Sequence, residues 1–571
     1  HLSPPAVPTW RSSPCRTNAW ESVDALLCRP MRGRISPSMR WLTTCSRPVS
    51  RKHTYRSALN WSMSSRAPPA ERFRNLNCGR SRRVFLFEPE SEAYMNGAES
   101  LVRSLIAAGV ERVFTNPGST EMEIIKEFDA VPELRPVLGL FEGVCTGAAD
   151  GYARMTGRPA ATLLHVGPGL ANGLANLHNA KRAYSPLVNI AGDYPSYHSP
   201  HDPLLSADLE GLASVMSGWV RRASSPATLG QDGADAVAAA REGQVATLIV
   251  PQDATWGDDA TPALPPPEVS RGRAADPEVE RIAAAIAGDK TAILLVNGRG
   301  LSECGLAAAN RIVAKTGCRL MVEVFAARMA RGAGRGAFGP LPGDQPVALE
   351  TLGSARNVVL AGTKPPVAYL AYEGLPSLLI PEGVTTHHLA GPTDDAEGAL
   401  EALALALDAT TPGTAYESAV PERPTGPVNP KTVGAAIGAL MPDNAIVAAE
   451  TTTSGGPIFG YTRGAALHDW LGLTGGSIGM AIPLAVGAAV ACPDRKVLCI
   501  QSDGGGMYTN QALWTLAREG LDVVTVILSN RRYKILEHEY FKTGANTLGA
   551  KADKLFDIGN PDIDWAHLAQ G

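Results

Sequence analysis

Among its 9 Cys and 11 His the sequence has no CxxC pair and no Cys/His set at zinc-ligand spacing, so neither a structural zinc module nor a disulfide framework is expected to organise it. No apolar run reaches the roughly 18 to 20 residues of a membrane span. Charge of one sign is not in excess: 52 Lys plus Arg against 56 Asp plus Glu leave a formal −4 over 571 residues. That balance lacks the concentrated basic field that a phosphate backbone requires, so neither nucleic acid nor membrane is expected as a partner. The stretch over 95–260 also lacks a GxGxxG with an acid about 20 residues on, which argues against a Rossmann-type dinucleotide oxidoreductase. With 44% hydrophobic and 19% charged residues, the chain is long enough for three or four domains with full cores, and a cytoplasmic α/β enzyme is the starting expectation.

Composition is uneven along the chain. Residues 1–94 hold 16 Lys or Arg and 6 acids, a net of +10 that leaves −14 for the rest, together with four of the nine Cys and four of the nine Trp. No sustained period runs through this stretch, which is expected to be a non-core leader. Three origins are open: an Arg- and Ser-rich transit peptide, a basic arm, or translated sequence upstream of a true start at Met95. The segment Met95-Asn96-Gly97-Ala98-Glu99-Ser100 reads as a domain start and favours the third.

From Met95 onward, short apolar runs alternate with helical spacing. Leu101, Leu105 and Ile106 share one face of a predicted helix over 98–108, and a strand over 112–115 leads into the turn Asn116-Pro117-Gly118-Ser119. Similar runs follow at 160–165, 187–191 and 246–251, each ahead of a loop and a helix-like stretch, as in buried parallel strands. Pro- and Gly-rich linkers over 260–277 and 410–430 divide the remainder into 95–260, 275–410 and 430–571; the middle block has strands over 291–297 and 357–361. The predicted fold class is α/β, with three doubly wound parallel-sheet domains.

In the third block a β-rich run over 496–501 leads into Ser502-Asp503-Gly504-Gly505-Gly506, and a second strand over 523–528 leads into Ser529-Asn530. Glycines ahead of a helix let backbone N–H groups approach a phosphate, whose charge the helix start favours. Asp503 and Asn530 then stand at the C-terminal ends of neighbouring strands, where oxygen ligands suit a small hard cation such as Mg2+.

This strand-anchored Asp–Asn pair resembles the GDG…NN signature of thiamin-diphosphate (ThDP) enzymes, with Ser502 and Ser529 as departures. The resemblance implies ThDP and Mg2+ as cofactors. Asp503, Asn530 and the backbone carbonyl of Arg532 would be the metal ligands, and Gly504, Gly505 and Tyr533 would meet the cofactor. Phe141-Glu142-Gly143, ahead of Asp150-Gly151-Tyr152-Ala153-Arg154, is similar to the family segment whose catalytic glutamate faces N1′ of the aminopyrimidine. An apolar surround of Leu140, Phe141 and Val144 is expected to raise the pKa of Glu142. Gly475-Gly476-Ser477-Ile478-Gly479 resembles the loop that bends the cofactor: the Gly476 carbonyl would accept from the 4′-amino group and Ile478 would wedge between the rings. Thr452, in Glu450-Thr451-Thr452-Thr453, falls where a hydroxyl meets the diphosphate.

The resemblance extends over about 95–571 and points to the group containing acetolactate synthase and benzoylformate decarboxylase. It implies a pyrimidine-binding domain over 95–260, a middle domain over 275–410 and a diphosphate- and Mg-binding domain over 430–571. The family's last block ordinarily runs beyond Trp565-Ala566-His567, so the chain is expected to be a fragment whose last domain is truncated, with one strand edge uncovered. Asn116-Pro117-Gly118-Ser119, Leu164-His165 and Ala512-Leu513-Trp514-Thr515 resemble the decarboxylase, and Ser119 and His165 fall on its substrate-handling Ser and one of its two active-site His. The second His corresponds to Leu370. The resemblance therefore implies decarboxylation of a small-molecule 2-oxo acid, with acetolactate-synthase-like carboligation as the alternative. A non-catalytic homologue is disfavoured because Glu142 and Asp503 are present. A site shared between subunits implies a homodimer or homotetramer. Gly298-Arg299-Gly300 after a strand is only a weak flavin signal, so FAD is the less favoured expectation.

Overall fold

The computed structural model describes residues 24–27, 95–267 and 270–570. A short strand, β1 (Asp24–Leu27), comes first in the chain and joins the last of three sheets. The basic leader expected over 1–94 otherwise lies outside the described residues.

The first sheet contains β2 (Arg112–Asn116), β3 (Arg135–Leu138), β4 (Ala160–Leu164), β5 (Leu187–Asp193), β6 (Trp219–Arg222) and β7 (Val245–Pro251). All are parallel, in the order β3-β2-β4-β5-β7-β6. Every residue of β5 and β7 is buried, because helices cover both faces of a parallel sheet and leave no polar side for alternation. The middle segment supplies β8 (Ile293–Val296), β9 (Arg319–Val322), β10 (Met329–Arg331), β11 (Gly339–Pro340), β12 (Asn357–Ala361) and β13 (Thr385–Ala390). Five of these form a parallel sheet in the order β11-β9-β8-β12-β13, while β10 crosses to the third sheet. That sheet adds β14 (Ala445–Glu450), β15 (His468–Leu471), β16 (Val497–Ser502) and β17 (Val523–Ser529), in the order β1-β17-β16-β14-β15-β10.

The expectation of wholly parallel sheets is corrected in the third. Its four central strands are parallel, but β1 and β10 pair antiparallel along its edges. Both edge strands arrive from outside the βα succession, so no crossover helix dictates their direction. The edge expected to be open is occupied: β1 pairs with β17 from Asp24↔Ser529 to Leu27↔Val526.

In each sheet the chain leaves its first strand on one side and later returns on the other. β2 leads to β3 and then β4, β8 to β9 and then β12, and β14 to β15 and then β16. The loops that leave neighbouring strand ends diverge at such a switch point and open a crevice there. The first crevice lies between the segments after β2 and β4, and the third between the segments after β14 and β16.

A helix junction fixes these two crevices relative to one another. The helix Ala481–Ala491 is apolar all round and buried over nearly its whole length, so it is a core helix and not a surface one. It packs against the helix Glu142–Thr156, which is buried from Glu142 to Met155. Close approach depends on small residues: a Cβ at Gly147 would lie 2.6 Å from Pro483, and one at Gly151 or Gly487 would overlap the facing backbone. No helix among the described residues is long and apolar enough to cross a membrane.

Candidate active site

The third-sheet crevice opens into a small cleft of about 60 Å3. Thr451 to Ser454 line one wall, Ser502 to Gly505 the floor, and Asn530 and Arg532 to Ile535 the other wall, with Ile478 reaching in from the side. Thr452, Ile478, Asp503, Gly504, Gly505, Asn530, Arg532 and Tyr533 are thus brought to one place. Asp503 is buried, and its carboxylate accepts from the N–H of Gly504 (2.9 Å) and of Arg531 (2.7 Å), with Ser529 as a third donor. Burial nevertheless pushes its pKa up. Asn530 Oδ1 accepts from Arg532 N–H at 3.0 Å, and the Arg532 carbonyl accepts from Lys534 N–H at 2.9 Å, which leaves it a second lone pair. One carboxylate, one amide oxygen and one carbonyl at the rim of a single cleft fit a hard cation such as Mg2+.

The three glycines have packing reasons of their own. A Cβ at Gly504 would overlap the Tyr533 ring, one at Gly505 would overlap Glu450 Oε1, and one at Gly506 would lie 2.7 Å from Trp565. Gly476 sits two residues before Ile478 at φ +72°, a conformation that glycine adopts without strain, and it packs against Tyr369.

A second cluster occupies the first sheet's crevice. His165 follows β4 directly, and its Nδ1 lies 2.9 Å from Glu121 Oε2. Glu121 is fully buried; it also accepts from Gly118 N–H at 2.7 Å and from the Thr120 hydroxyl. A Cβ at Gly118 would overlap the His165 ring, 2.2 Å from its Cγ and Nδ1, so glycine there is what lets the imidazole lie over the turn. Ser119 begins the short helical turn beside them. Glu142 caps the other side of the crevice, where its carboxylate accepts from Asn116 Nδ2 (3.3 Å) and Asn172 Nδ2 (3.0 Å). The apolar surround expected for Glu142 is corrected on this point: amides are its partners, and Leu140 is 47% exposed.

Several of these residues escape a reading of the sequence. Glu121 had one faint signal, an acid three residues after the turn glycine, placed to accept from the Gly118 N–H. Asn172, Asn176 and Asn179 share one face of the helix Val166–Ala183. Asn176 Nδ2 donates to the carbonyls of Gly143 (2.8 Å) and Gly479 (3.4 Å). Asn179 donates to Ser477 O at 2.8 Å and accepts from Gly475 N–H at 3.1 Å. Asn176 and Asn179 thereby grip the loop that carries Gly476 and Ile478.

Backbone strain marks the same places. Val166 (φ +42°), beside His165, and Thr452 (φ +28°) are the two β-branched residues with positive φ among the described residues, and Arg531 (φ +57°) separates Asn530 from Arg532. Such conformations cost about 1–3 kcal/mol each and concentrate at functional sites. Gly298-Arg299-Gly300 lies elsewhere, along a cleft of about 410 Å3 that also meets Arg154, Arg328 and Arg335.

Two α/β domains thus present a carboxylate–imidazole cluster and an oxygen-ligand cleft at their switch points. The profile of the thiamine pyrophosphate enzyme N-terminal TPP binding domain matches residues 95–212, and that of the C-terminal TPP binding domain matches residues 456–571. A Mycobacterium tuberculosis protein with the provisional name acetolactate synthase large subunit IlvX is 46% identical over 482 residues, covering 84% of this chain and 92% of its own. Benzoylformate decarboxylase of Pseudomonas aeruginosa is 27% identical over 489 residues, covering 81% and 90%. In fold, the chain is similar to the ThDP-dependent 4-hydroxybenzoylformate decarboxylase of Rhodococcus jostii RHA1, with a TM-score of 0.70 at 24% identity over 83% of this chain and 92% of that one. The chain belongs to the thiamine pyrophosphate enzyme family, whose relatives include both acetolactate synthases and benzoylformate decarboxylases.

Proposed function

We propose that this chain is a ThDP- and Mg2+-dependent decarboxylase of a 2-oxo acid that releases an aldehyde, similar to benzoylformate decarboxylase. The observation that carries this reading is the His165–Glu121 pair in the first crevice. A buried carboxylate on Nδ1 orients the ring and favours the proton there, leaving Nε2 to exchange a proton with the substrate. Ser119, on the same turn, would hold the substrate carboxylate.

In this reading 95–260 is the pyrimidine-binding domain, 275–410 the middle domain and 430–571 the diphosphate-binding domain. Asp503, Asn530 and the Arg532 carbonyl would hold Mg2+. Thr452, Gly504, Gly505 and Tyr533 would receive the diphosphate, Gly476 and Ile478 would fix the ring system, and Glu142 would face the aminopyrimidine. When bound, ThDP supplies the electron sink that lets a 2-oxo acid lose CO2. Third-domain residues alone line the cleft of Asp503, whereas Glu142 and His165 belong to the first domain. That separation supports a site completed by a second copy of the chain, with a homodimer as the smallest competent unit and a homotetramer as its doubling. FAD is left out of the proposed set. The only signal for it, Gly298-Arg299-Gly300 after a strand, is a lone GxG and carries little weight. The cytoplasm is the compartment assigned, on the lack of a disulfide-type cysteine pattern.

The second reading is acetolactate-synthase-like condensation of two 2-oxo acids. The name of the relative at 46% identity favours it, as does Leu370 in place of a second His. A panel of 2-oxo acids from pyruvate to benzoylformate, supplied with ThDP and Mg2+ and assayed for CO2, aldehyde and acetohydroxy acid, separates the two. Aldehyde with CO2 is expected. Acetolactate from pyruvate with no aldehyde from any substrate would reverse the order, and no CO2 from the whole panel would remove the 2-oxo-acid reading.

A further inference from the structure

Glu450 ends β14 with a carboxylate that none of the roles above uses, and it is 1% exposed. Its Oε2 accepts from three consecutive backbone N–H groups, those of Gly479 (2.9 Å), Met480 (2.6 Å) and Ala481 (3.3 Å). Its Oε1 accepts from Gln501 Nε2 at 2.8 Å. Glu450 and Gln501 are register partners across β14 and β16, so their side chains leave the sheet on the same side. Oε1 also lies so close to Gly505 that a Cβ there would overlap it. One carboxylate therefore touches both the loop that carries Gly476 and Ile478 and the turn that carries Asp503 to Gly505.

Four donors converge on this side chain, and an anion with two acceptor oxygens satisfies all of them. Its charge also stands at the start of the helix Ala481–Ala491, where the helix dipole favours it. The two loops depend on it unequally. Asp503 keeps its own donors, Gly504 and Arg531, which do not involve Glu450. The ring-facing loop has three successive N–H groups tied to Glu450, with Asn176, His178, Asn179 and Thr509 as its other anchors.

We propose that Glu450 is a positioning residue that keeps the ring-facing loop (Gly476, Ile478) in register with the diphosphate-facing turn (Asp503 to Gly505), so that one cofactor molecule meets both. The proposal rests on the ThDP reading above. Two variants separate reach from charge. Glu450→Asp keeps the charge but withdraws it by one methylene, so it cannot span both loops. Glu450→Gln keeps the span: Gln501 Oε1 is buried without a partner and can turn to accept from the new amide, so mainly the charge is lost.

The test titrates the full chain by calorimetry with Mg2+ and ThDP and, separately, with Mg2+ and inorganic pyrophosphate, which probes the diphosphate half alone. The unsubstituted protein is expected to bind both, ThDP more tightly. Glu450→Asp is expected to lose about tenfold or more in ThDP affinity while pyrophosphate affinity stays within about twofold. Glu450→Gln is expected to show the same selective loss, smaller in size, and it decides the matter if the Asp variant does not fold. Equal weakening of both ligands would mean general loosening and overturn the proposal, as would unchanged ThDP affinity in both variants. Absence of ThDP binding by the unsubstituted protein would instead overturn the cofactor reading and this proposal with it.

Discussion

Replacing Gly118 by Ala isolates the role of His165 with a single methyl group. Gly118 has φ −127° and ψ −167°, an extended conformation that any residue adopts, so the backbone is not strained by the change. The added Cβ would fall below the 3.0 Å floor of real Cβ contacts with His165 Cγ, Nδ1 and Cδ2. Cγ is the root of the ring, so the imidazole cannot yield at its tip; it must rotate away and give up the 2.9 Å contact with Glu121. Overpacking of this kind costs about 1–3 kcal/mol of stability, and losing a positioned proton carrier lowers turnover by about 10²–10⁴-fold. The assay is steady-state aldehyde formation from the best 2-oxo acid of the panel, with ThDP affinity measured in parallel. A fall in kcat of about 100-fold is expected, with ThDP affinity within about twofold because the Asp503 cleft belongs to another sheet. Wild-type kcat in Gly118→Ala would refute the assignment of proton transfer to His165.

Burial holds the His468 pKa down, from 6.5 to about 4, while its Nδ1 sits 2.8 Å from the Ala466 carbonyl. The folded chain keeps this ring neutral while the unfolded chain protonates it below pH 6.5, so the stability from this group is full above that pH and is lost as the pH falls toward 4. The loss amounts to about 3 kcal/mol, and urea titrations of wild type and His468→Asn should differ by that slope; parallel pH profiles would contradict it. Gly505→Ala is expected to cost about 1–3 kcal/mol through overlap with Glu450 and to weaken ThDP binding. Gly456→Ala, with nothing within 4 Å of the new methyl, should leave the melting temperature unchanged or raise it, and equal effects of the two would contradict the packing. Mixing Glu142→Gln chains with Asp503→Ala chains should restore about a quarter of the activity if sites form between subunits and dimers assort randomly. No recovery on demonstrated mixing would count against a shared site.

What the sequence makes legible follows from range. Val245–Pro251 and Ile293–Val296 are continuous apolar runs because they are buried on both faces, and Asp503 and Asn530 stand directly after such runs. These features are local, and the fold class and the third-sheet cleft can be inferred from them. Trp219–Arg222 is half-exposed and carries two arginines, so its sequence does not resemble a buried strand. Met329–Arg331 is a strand only because it reaches β15, some 140 positions away, a pairing that no local pattern encodes. Glu121, Glu450 and the Asn172–Asn176–Asn179 row are important through their partners, and those partners lie on other elements. Even the glycines after Asp503 are explained only in part by a phosphate, since Tyr533, Glu450 and Trp565 each fill the space a side chain would need.

The most direct test of the central claim is isothermal titration of the chain with ThDP, with and without Mg2+, repeated on Asp503→Ala. Saturable binding that requires Mg2+ and is lost in Asp503→Ala is the predicted result. Equal ThDP affinity with and without Mg2+, or affinity unchanged in Asp503→Ala, would contradict it.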